Sequence, residues 1–271
     1  MTTPNQPLAH RVAIVTGASA GIGEAIARLL SLHGAAVVLN ARRAERLEAL
    51  ASSIEKAGGK AAIASGDAAD DRVIQKMLDT AREKFGREAD LVVANAGRGL
   101  RGSPLSSERA EWEEMIRINL LGAAAMLRAA AERMLADLDR EQASAKGADL
   151  PPWRARPRDI VVISSNVGKH VSPFSSMYGS TKFAITAVAE GLRREVGPRG
   201  VRVSAIHPGV VRSEFQEVAG YDMKTFGEFM DRIGPVLDPD DVARAVDYIA
   251  SQPAHCHIND ICLRPTRQDY P

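Results

Sequence analysis

The sequence predicts an α/β fold: one doubly wound parallel sheet of seven strands flanked by helices. Two observations carry that expectation. Seven short apolar, β-branched runs recur along the 271 residues, and longer segments with helical periodicity separate them. A parallel strand pair needs a long crossover, so regular alternation of strand and helix points to a parallel sheet. The runs are "RVAIVTG", "AAVVLNA", "AAIASGD", "DLVVANAG", "DIVVISS", "VRVSAIHPG" and "DICLRP". Most are continuously apolar rather than alternating, which suits strands covered on both faces.

The helices follow in order. Ile22, Ile26, Leu29 and Leu30 form one apolar stripe, Leu47, Leu50 and Ile54 a second, and Ile74, Met77, Leu78 and Phe85 a third. "LDPDDVARAVDYIA" opens with Asp238 as a cap, Pro239 at the first helical position and two further acids, a strong helix start. One segment breaks the rhythm. Residues 136–159 are polar, carry Pro151, Pro152 and Pro157, and lose periodicity after Gln142. A crossover helix runs back along the sheet, so this insert is expected at the N-terminal edge of the strands as a surface loop or subunit contact. Ligands of such sheets bind at the carboxyl edge. With no internal repeat and no second domain visible, residues 1–271 read as a single domain.

Composition narrows the setting. A net charge of +1 gives no overall field favouring nucleic acid or a membrane surface. Cys256 and Cys262 are too few for a disulfide framework, which suits a reducing, cytoplasmic compartment. The opening "MTTPNQPLAH" has no apolar core of a signal peptide, and no apolar run approaches the roughly 18 residues of a membrane span.

Chemistry first shows in "VTGASAGIGEAI", between the first strand and first helix. Its glycines, Gly17, Gly21 and Gly23, permit a tight turn and close backbone approach, and exposed N–H groups at a helix start attract a pyrophosphate. "ANAG" (residues 94–97) ends the fourth strand, "YGSTK" holds Tyr178 and Lys182 four apart, and "HPGVVRS" follows the sixth strand. Taken together and in this order, these motifs resemble those of the classical short-chain dehydrogenases/reductases over roughly residues 10–265. The resemblance implies a Rossmann-like fold and a nicotinamide cofactor. It implies cofactor contacts from Gly17, Ser19, Gly21, Ile22 and Gly23, from Asp67 and Ala68 after the third strand, and from Asn95, Ala96 and Gly97. Tyr178, Lys182, Pro208, Gly209, Val211 and Ser213 complete the set; the family usually has Thr where Ser213 stands, and the hydroxyl is kept.

The nucleotide is read from "LNARRAERL". An acid at the end of the second strand would bind an adenosine ribose and select NAD. Ala41 stands there instead, followed by Arg42 and Arg43. Two arginines at a helix start oppose the macrodipole, whereas a bound 2′-phosphate reverses that balance through charge-assisted hydrogen bonds. The expected cofactor is NADP(H).

By resemblance Tyr178 is the general acid/base and Lys182 its pKa depressor and ribose anchor. A free tyrosine titrates near 10, so reaching about 7 needs roughly 4 kcal/mol of preference for phenolate. A fixed ammonium and an oxidised nicotinamide have the right sign to supply it. Ser165, 13 positions before Tyr178 at a strand's carboxyl end, is expected to bind the substrate oxygen. Asn119, a polar amide in the apolar "IRINLLG", resembles the family's asparagine that helps hold a relay water behind the lysine.

Other features carry less. His255, Cys256 and His257 with Cys262 are spaced for a strand edge rather than a tetrahedral metal site, so no metal is expected. Residues 213–234, with Phe215, Val218, Tyr221, Met223, Phe226, Phe229 and Met230 on an apolar side, sit where the family carries its substrate lid. The reading is an NADP(H)-dependent oxidoreductase acting on a carbonyl or secondary alcohol. The ending "NDICLRPTRQ" is similar to a branch with 3-hydroxy-acid dehydrogenases and small ketoreductases. The rival is an NADP(H)-binding regulatory protein without turnover, against which the retained Asn119, Ser165, Tyr178 and Lys182 argue. A sugar-nucleotide epimerase would want a larger C-terminal region. The resemblance also implies a homo-oligomer, a tetramer or dimer.

Overall fold

The structure is a computed structural model, which describes residues 6–144 and 151–270. In chain order it runs β1 (Val12–Thr16), α1 (Gly21–Leu32), β2 (Ala36–Asn40), α2 (Ala44–Lys56), β3 (Lys60–Ile63), α3 (Asp71–Phe85), β4 (Leu91–Ala94) and α4 (Arg109–Ile116). There follow α5 (Ala123–Ser144), α6 (Pro152–Ala155), β5 (Arg158–Ile163), α7 (Ser176–Val196), β6 (Val201–Pro208), α8 (Phe215–Val218), α9 (Met223–Ile233), α10 (Pro239–Ala250) and β7 (Asp260–Leu263). The seven strands form one parallel sheet in the order β3-β2-β1-β4-β5-β6-β7, with helices on both faces. The Rossmann-like α/β fold expected from the sequence is the one observed.

Strand side chains alternate between two cores. Ala13, Val15, Val37, Leu39, Leu91 and Val93 face α1, α2 and α10. Val12, Ile14, Val38, Val92, Ile160 and Val162 face α3, α5 and α7. Because both faces are covered, the strands read as unbroken apolar runs. Strand order reverses at β1, which lies between β2 and β4, so the carboxyl ends of β1 and β4 part there and leave a crevice. The Asp238 helix start is observed as a full capping box, with Asp238 N–H donating to Asp241 Oδ2 at 2.8 Å.

The N-terminal edge is closed by charge. Asp159 accepts from Arg11 Nη2 at 2.7 Å and from Arg202 Nε and Nη2 at 2.7 and 2.8 Å, while Arg11 Nε reaches Asp90 Oδ1 at 2.8 Å. All four residues are buried. The 136–159 insert lies at this edge but is not a loop throughout. Helix α5 runs on to Ser144, and residues 145–150 lie outside the described residues. Asp137 and Glu141, one helical turn apart, face back onto Arg156 and Arg158. Those ion pairs reward helix where apolar periodicity has faded. Among the described residues no helix is long and apolar enough to cross a membrane.

Removing one partner of a buried ion pair strands the other charges in low dielectric. Asp159→Asn should therefore lower the free energy of unfolding by about 3–5 kcal/mol, read from the urea midpoint.

Candidate active site

At the carboxyl edge, a cavity of about 1360 Å³ runs from the α1 start to the segment after β6. Its floor is stitched across the strand reversal. Thr16 Oγ1 accepts from Asn95 N and Ala96 N at 3.0 and 2.9 Å, and Asn95 Nδ2 donates to Thr16 O at 2.9 Å. Gly17 has φ +68°, and a Cβ on Gly23 would lie 2.3 Å from Gly17 O, so that glycine serves helix–strand packing. Helix α1 begins after Ala20, which has no side chain to cap it, and Gly21, Ile22 and Gly23 line the cavity. An uncapped helix start of this kind attracts an anion. The buried Ala41 leaves β2 without a terminal carboxylate, while Arg42 and Arg43 are exposed beside it. Arg43 donates to Ser19 Oγ at 3.0 Å and pairs with Glu214 at 3.2 Å. These features fit a dinucleotide.

The sequence-predicted residues converge on this cavity. Gly17, Ser19, Gly21, Ile22, Gly23, Arg42, Arg43, Asp67 and Ala68 line it toward α1 and α2. Asn95, Ala96, Gly97, Ser165, Tyr178 and Lys182, with Pro208, Gly209, Val211 and Ser213, line the remainder. Asn119 is buried just behind the wall. Asp67 both caps and pairs: Oδ1 accepts from Ala69 N at 3.0 Å, and Oδ2 from Arg117 at 2.7 Å. Burial pushes its carboxyl up, but those bonds outweigh it and hold the group below the usual range.

Ser165 ends the β5 segment, and its hydroxyl bonds the Tyr178 phenol from the adjoining α7. Its neighbour Ser164 points away, to Thr186 Oγ1 at 2.8 Å, as strand alternation requires. Buried His207 bridges Asp260 (2.9 Å) and the Ser165 carbonyl (3.2 Å), which fixes the serine's backbone. Lys182 lies one turn after Tyr178 with Nζ 5.8 Å from its ring centroid, and donates to Ile163 O at 2.9 Å. A Cβ on Gly97 would sit 3.3 Å from Asn119 Oδ1 and 3.6 Å from Lys182 Nζ, so both side chains close around a bare backbone.

Asn119 stands in a π-helical turn, Arg117–Gly122, between α4 and α5. Its carboxamide accepts from Arg98 N at 2.7 Å and donates to Arg98 O and Thr181 Oγ1 at 2.8 and 3.1 Å. It thereby clamps the loop after β4 onto the helix that carries the lysine.

The electrostatics differ from the sequence expectation in one respect. Burial pushes the Tyr178 phenol up, against the Ser165 bond, which lowers it. Burial likewise pushes the Lys182 ammonium down to about 8. Burial thus shifts both groups toward their neutral forms, because desolvation is not offset by a neighbouring opposite charge; the phenol stays neutral, while a lysine at about 8 still carries its proton at pH 7 at a cost in stability.

Residues missed in the sequence include Thr16, Asn40, Arg117, Ser175 and Gln268. Asn40, fully buried at the end of β2, donates to Ala64 O at 2.8 Å. The Ser175 hydroxyl bonds Tyr221. Gln268 Oε1, from the chain's tail, accepts from Val210 N at 3.0 Å beside the Pro208–Gly209 turn. Only Thr16 had a local signal, as the residue before Gly17. Among the described residues, no three His, Cys, Asp or Glu side chains group as a metal site.

A family profile described as short chain dehydrogenase matches residues 11–223. An uncharacterised oxidoreductase of Staphylococcus aureus is 33% identical over 258 residues, covering 95% of this chain and 98% of the relative. A glycine betaine reductase of Emericella nidulans is 32% identical over 97% of this chain, which spans 19% of that longer protein. Among solved structures, an alcohol dehydrogenase of Thermococcus sibiricus complexed with 5-hydroxy-NADP has a TM-score of 0.78 and 28% identity, covering 96% of this chain and 99% of its own.

The buried lysine makes a stability prediction. Its folded pKa of about 8 lies below the free value of 10.5, so the unfolded chain holds the proton more tightly. Protonation therefore destabilises the ligand-free fold, fully below pH 8 and progressively less between pH 8 and 10.5. Lys182→Met should raise the unfolding free energy at pH 7 by up to about 3 kcal/mol, with the gain shrinking by pH 10.5 in urea melts.

Proposed function

This chain belongs to the short-chain dehydrogenase family, and we propose that it is an NADP(H)-dependent oxidoreductase interconverting a carbonyl and a secondary alcohol. The observation that carries the reading is the meeting of Ser165, Tyr178 and Lys182, clamped by Asn119, in a cavity whose far end is an uncapped helix start beside Arg42. A nucleotide-binding regulator would need the helix-start end of that cavity and not the end that gathers Ser165, Tyr178 and Lys182.

In this reading the Gly21–Gly23 helix start would hold the pyrophosphate, and Arg42 and Arg43 would hold the 2′-phosphate. The NADP complex of the Thermococcus relative agrees with that choice. When bound, NADPH supplies the hydride. Ser165 Oγ–H donates to the substrate oxygen, and Tyr178 Oη–H gives its proton to the same oxygen as negative charge develops there. The phenol that burial holds protonated is well set for this reductive direction. Lys182, still protonated at pH 7, would anchor the ribose, and its charge stabilises the phenolate left behind. Asn119 acts by position, holding Arg98 and Thr181 around the lysine.

We assign residues 1–271 to one catalytic domain and 213–234 to its lid. Support for the lid is the Phe215 ring, 5.5 Å from that of Tyr178, and Tyr221, whose hydroxyl bonds Ser175 before α7. Exposed Leu121, Phe183 and Val188 on α5's approach and α7 suit a homo-oligomer.

Tyr178→Phe should keep NADPH binding, read by nucleotide fluorescence, and lose carbonyl reduction by at least about 100-fold. Unchanged turnover would sink the assignment. Arg42→Ala should raise the Kd for NADPH by roughly 10-fold or more while moving that for NADH by less than about 3-fold.

A further inference from the structure

Five arginines line the cavity, and their partners divide them. Arg43 pairs with Glu214 at 3.2 Å and Arg98 with Glu111 at 2.8 Å. Among the described residues, no carboxylate lies within ion-pairing distance of Arg42, Arg101 or Arg232. Arg42 stands at the nucleotide end. Arg101 and Arg232 stand at the opposite end, among the lid residues.

Arg101 is fixed close to the reacting groups. Its N–H donates to Ala219 O of the lid at 3.1 Å, and the next residue, Gly102, donates to Phe174 O at 2.6 Å, in the loop before Tyr178. Two positions earlier, Gly99 leaves room for the Phe215 ring: a Cβ there would lie 2.5 Å from Phe215 Cζ. That same ring packs on Tyr178. The loop bearing Arg101 is thus pinned between the lid and the catalytic helix, and Arg101 is exposed and lines the cavity.

The surroundings leave that charge available. Asp222 lies near enough to feel the Arg101 charge but does not pair with it, its oxygens serving the α9 start, where Oδ1 accepts from Lys224 N at 3.0 Å and Oδ2 from Thr225 Oγ1 at 2.9 Å. Burial pushes the Tyr221 phenol up, while the Ser175 bond and the Arg101 charge pull against it. From Tyr221 an aromatic wall leads outward through Phe226 and Phe229, with centroids 5.2 and 5.8 Å apart, to Arg232, 5.4 Å from the Phe229 ring. Apolar walls bracketed by guanidinium groups suit a short hydrocarbon that ends in an anion.

Resting on the oxidoreductase reading above, we infer that the carbonyl substrate is an oxo acid whose carboxylate is bound by Arg101, with Arg232 drawing it in at the rim. A neutral ketone would leave both guanidinium groups without an ion-pair partner. A carboxylate answers them with charge-assisted hydrogen bonds. Arg101 then sets specificity without taking part in proton transfer.

The test is a panel of 2-, 3- and 4-oxo acids, each paired with its methyl ester, followed by NADPH absorbance. The wild-type enzyme should favour at least one acid over its ester by about 10-fold or more in kcat/KM. Arg101→Gln should collapse that ratio by about 10-fold, mainly through KM, and Arg101→Lys should restore part of it. Urea midpoints within error of wild type would show that the exposed side chain has no structural role. A wild-type enzyme that reduces esters as well as acids, or a ratio unmoved in Arg101→Gln, overturns this inference and leaves the oxidoreductase reading standing. No reduction of any carbonyl in the panel overturns the oxidoreductase reading, and this inference with it.

Discussion

An ammonium group taken out of water needs a compensating charge, and the chain gives Lys182 a single carbonyl, that of Ile163. Much of the site follows from that constraint. The lysine reaches its position because α7 packs along β6 and the neighbouring β5. Gly97 lacks a side chain where the lysine and Asn119 press against the backbone. The phenol four residues earlier is equally dry. Burial thus keeps the phenol protonated and makes the lysine's charge costly, and a bound molecule can relieve that cost. An anion or a polarised oxygen arriving in the cavity does for the lysine what no carboxylate of the protein does.

Such a site is tolerable because the sheet is held together elsewhere. Its N-terminal edge carries Asp159 between Arg11 and Arg202, with Asp90 alongside, all buried and mutually bonded. Charge is matched at one edge and left unmatched at the other. The two cores between them are apolar on both faces and transmit that arrangement along rigid strands. Polar groups at the carboxyl edge are accordingly free to be chosen for chemistry, as at Thr16 and Asn95, which stitch the strand reversal without closing the crevice.

The sheet was legible because double-sided burial makes every strand an apolar run, and because Tyr178, Lys182, Ser165 and the glycine turn are fixed by local spacing. Arg42 was legible as a charge with the wrong sign for its helix end. What escaped was set by tertiary contact. The run of α5 to Ser144 is supported by Arg156 and Arg158, at the far end of the segment whose periodicity failed. Gln268 and Arg101 gain their meaning from Val210 and Ala219, far off in sequence. The depressed lysine also escaped, since a motif shows that two groups are near each other and says nothing about how much water reaches them.

The π-helical turn at Arg117–Gly122 holds one residue more than an α-helix would use there. Each residue of an α-helix turns it by about 100°. Losing any one position in this stretch would let the turn relax into ordinary helix while swinging Asn119 off Arg98 and Thr181, or α5 off its core. The surplus residue works as a spacer whose identity matters less than its presence. Descent can therefore replace Leu120 or Leu121 more freely than it can shorten the stretch that carries Asn119 and Gly122.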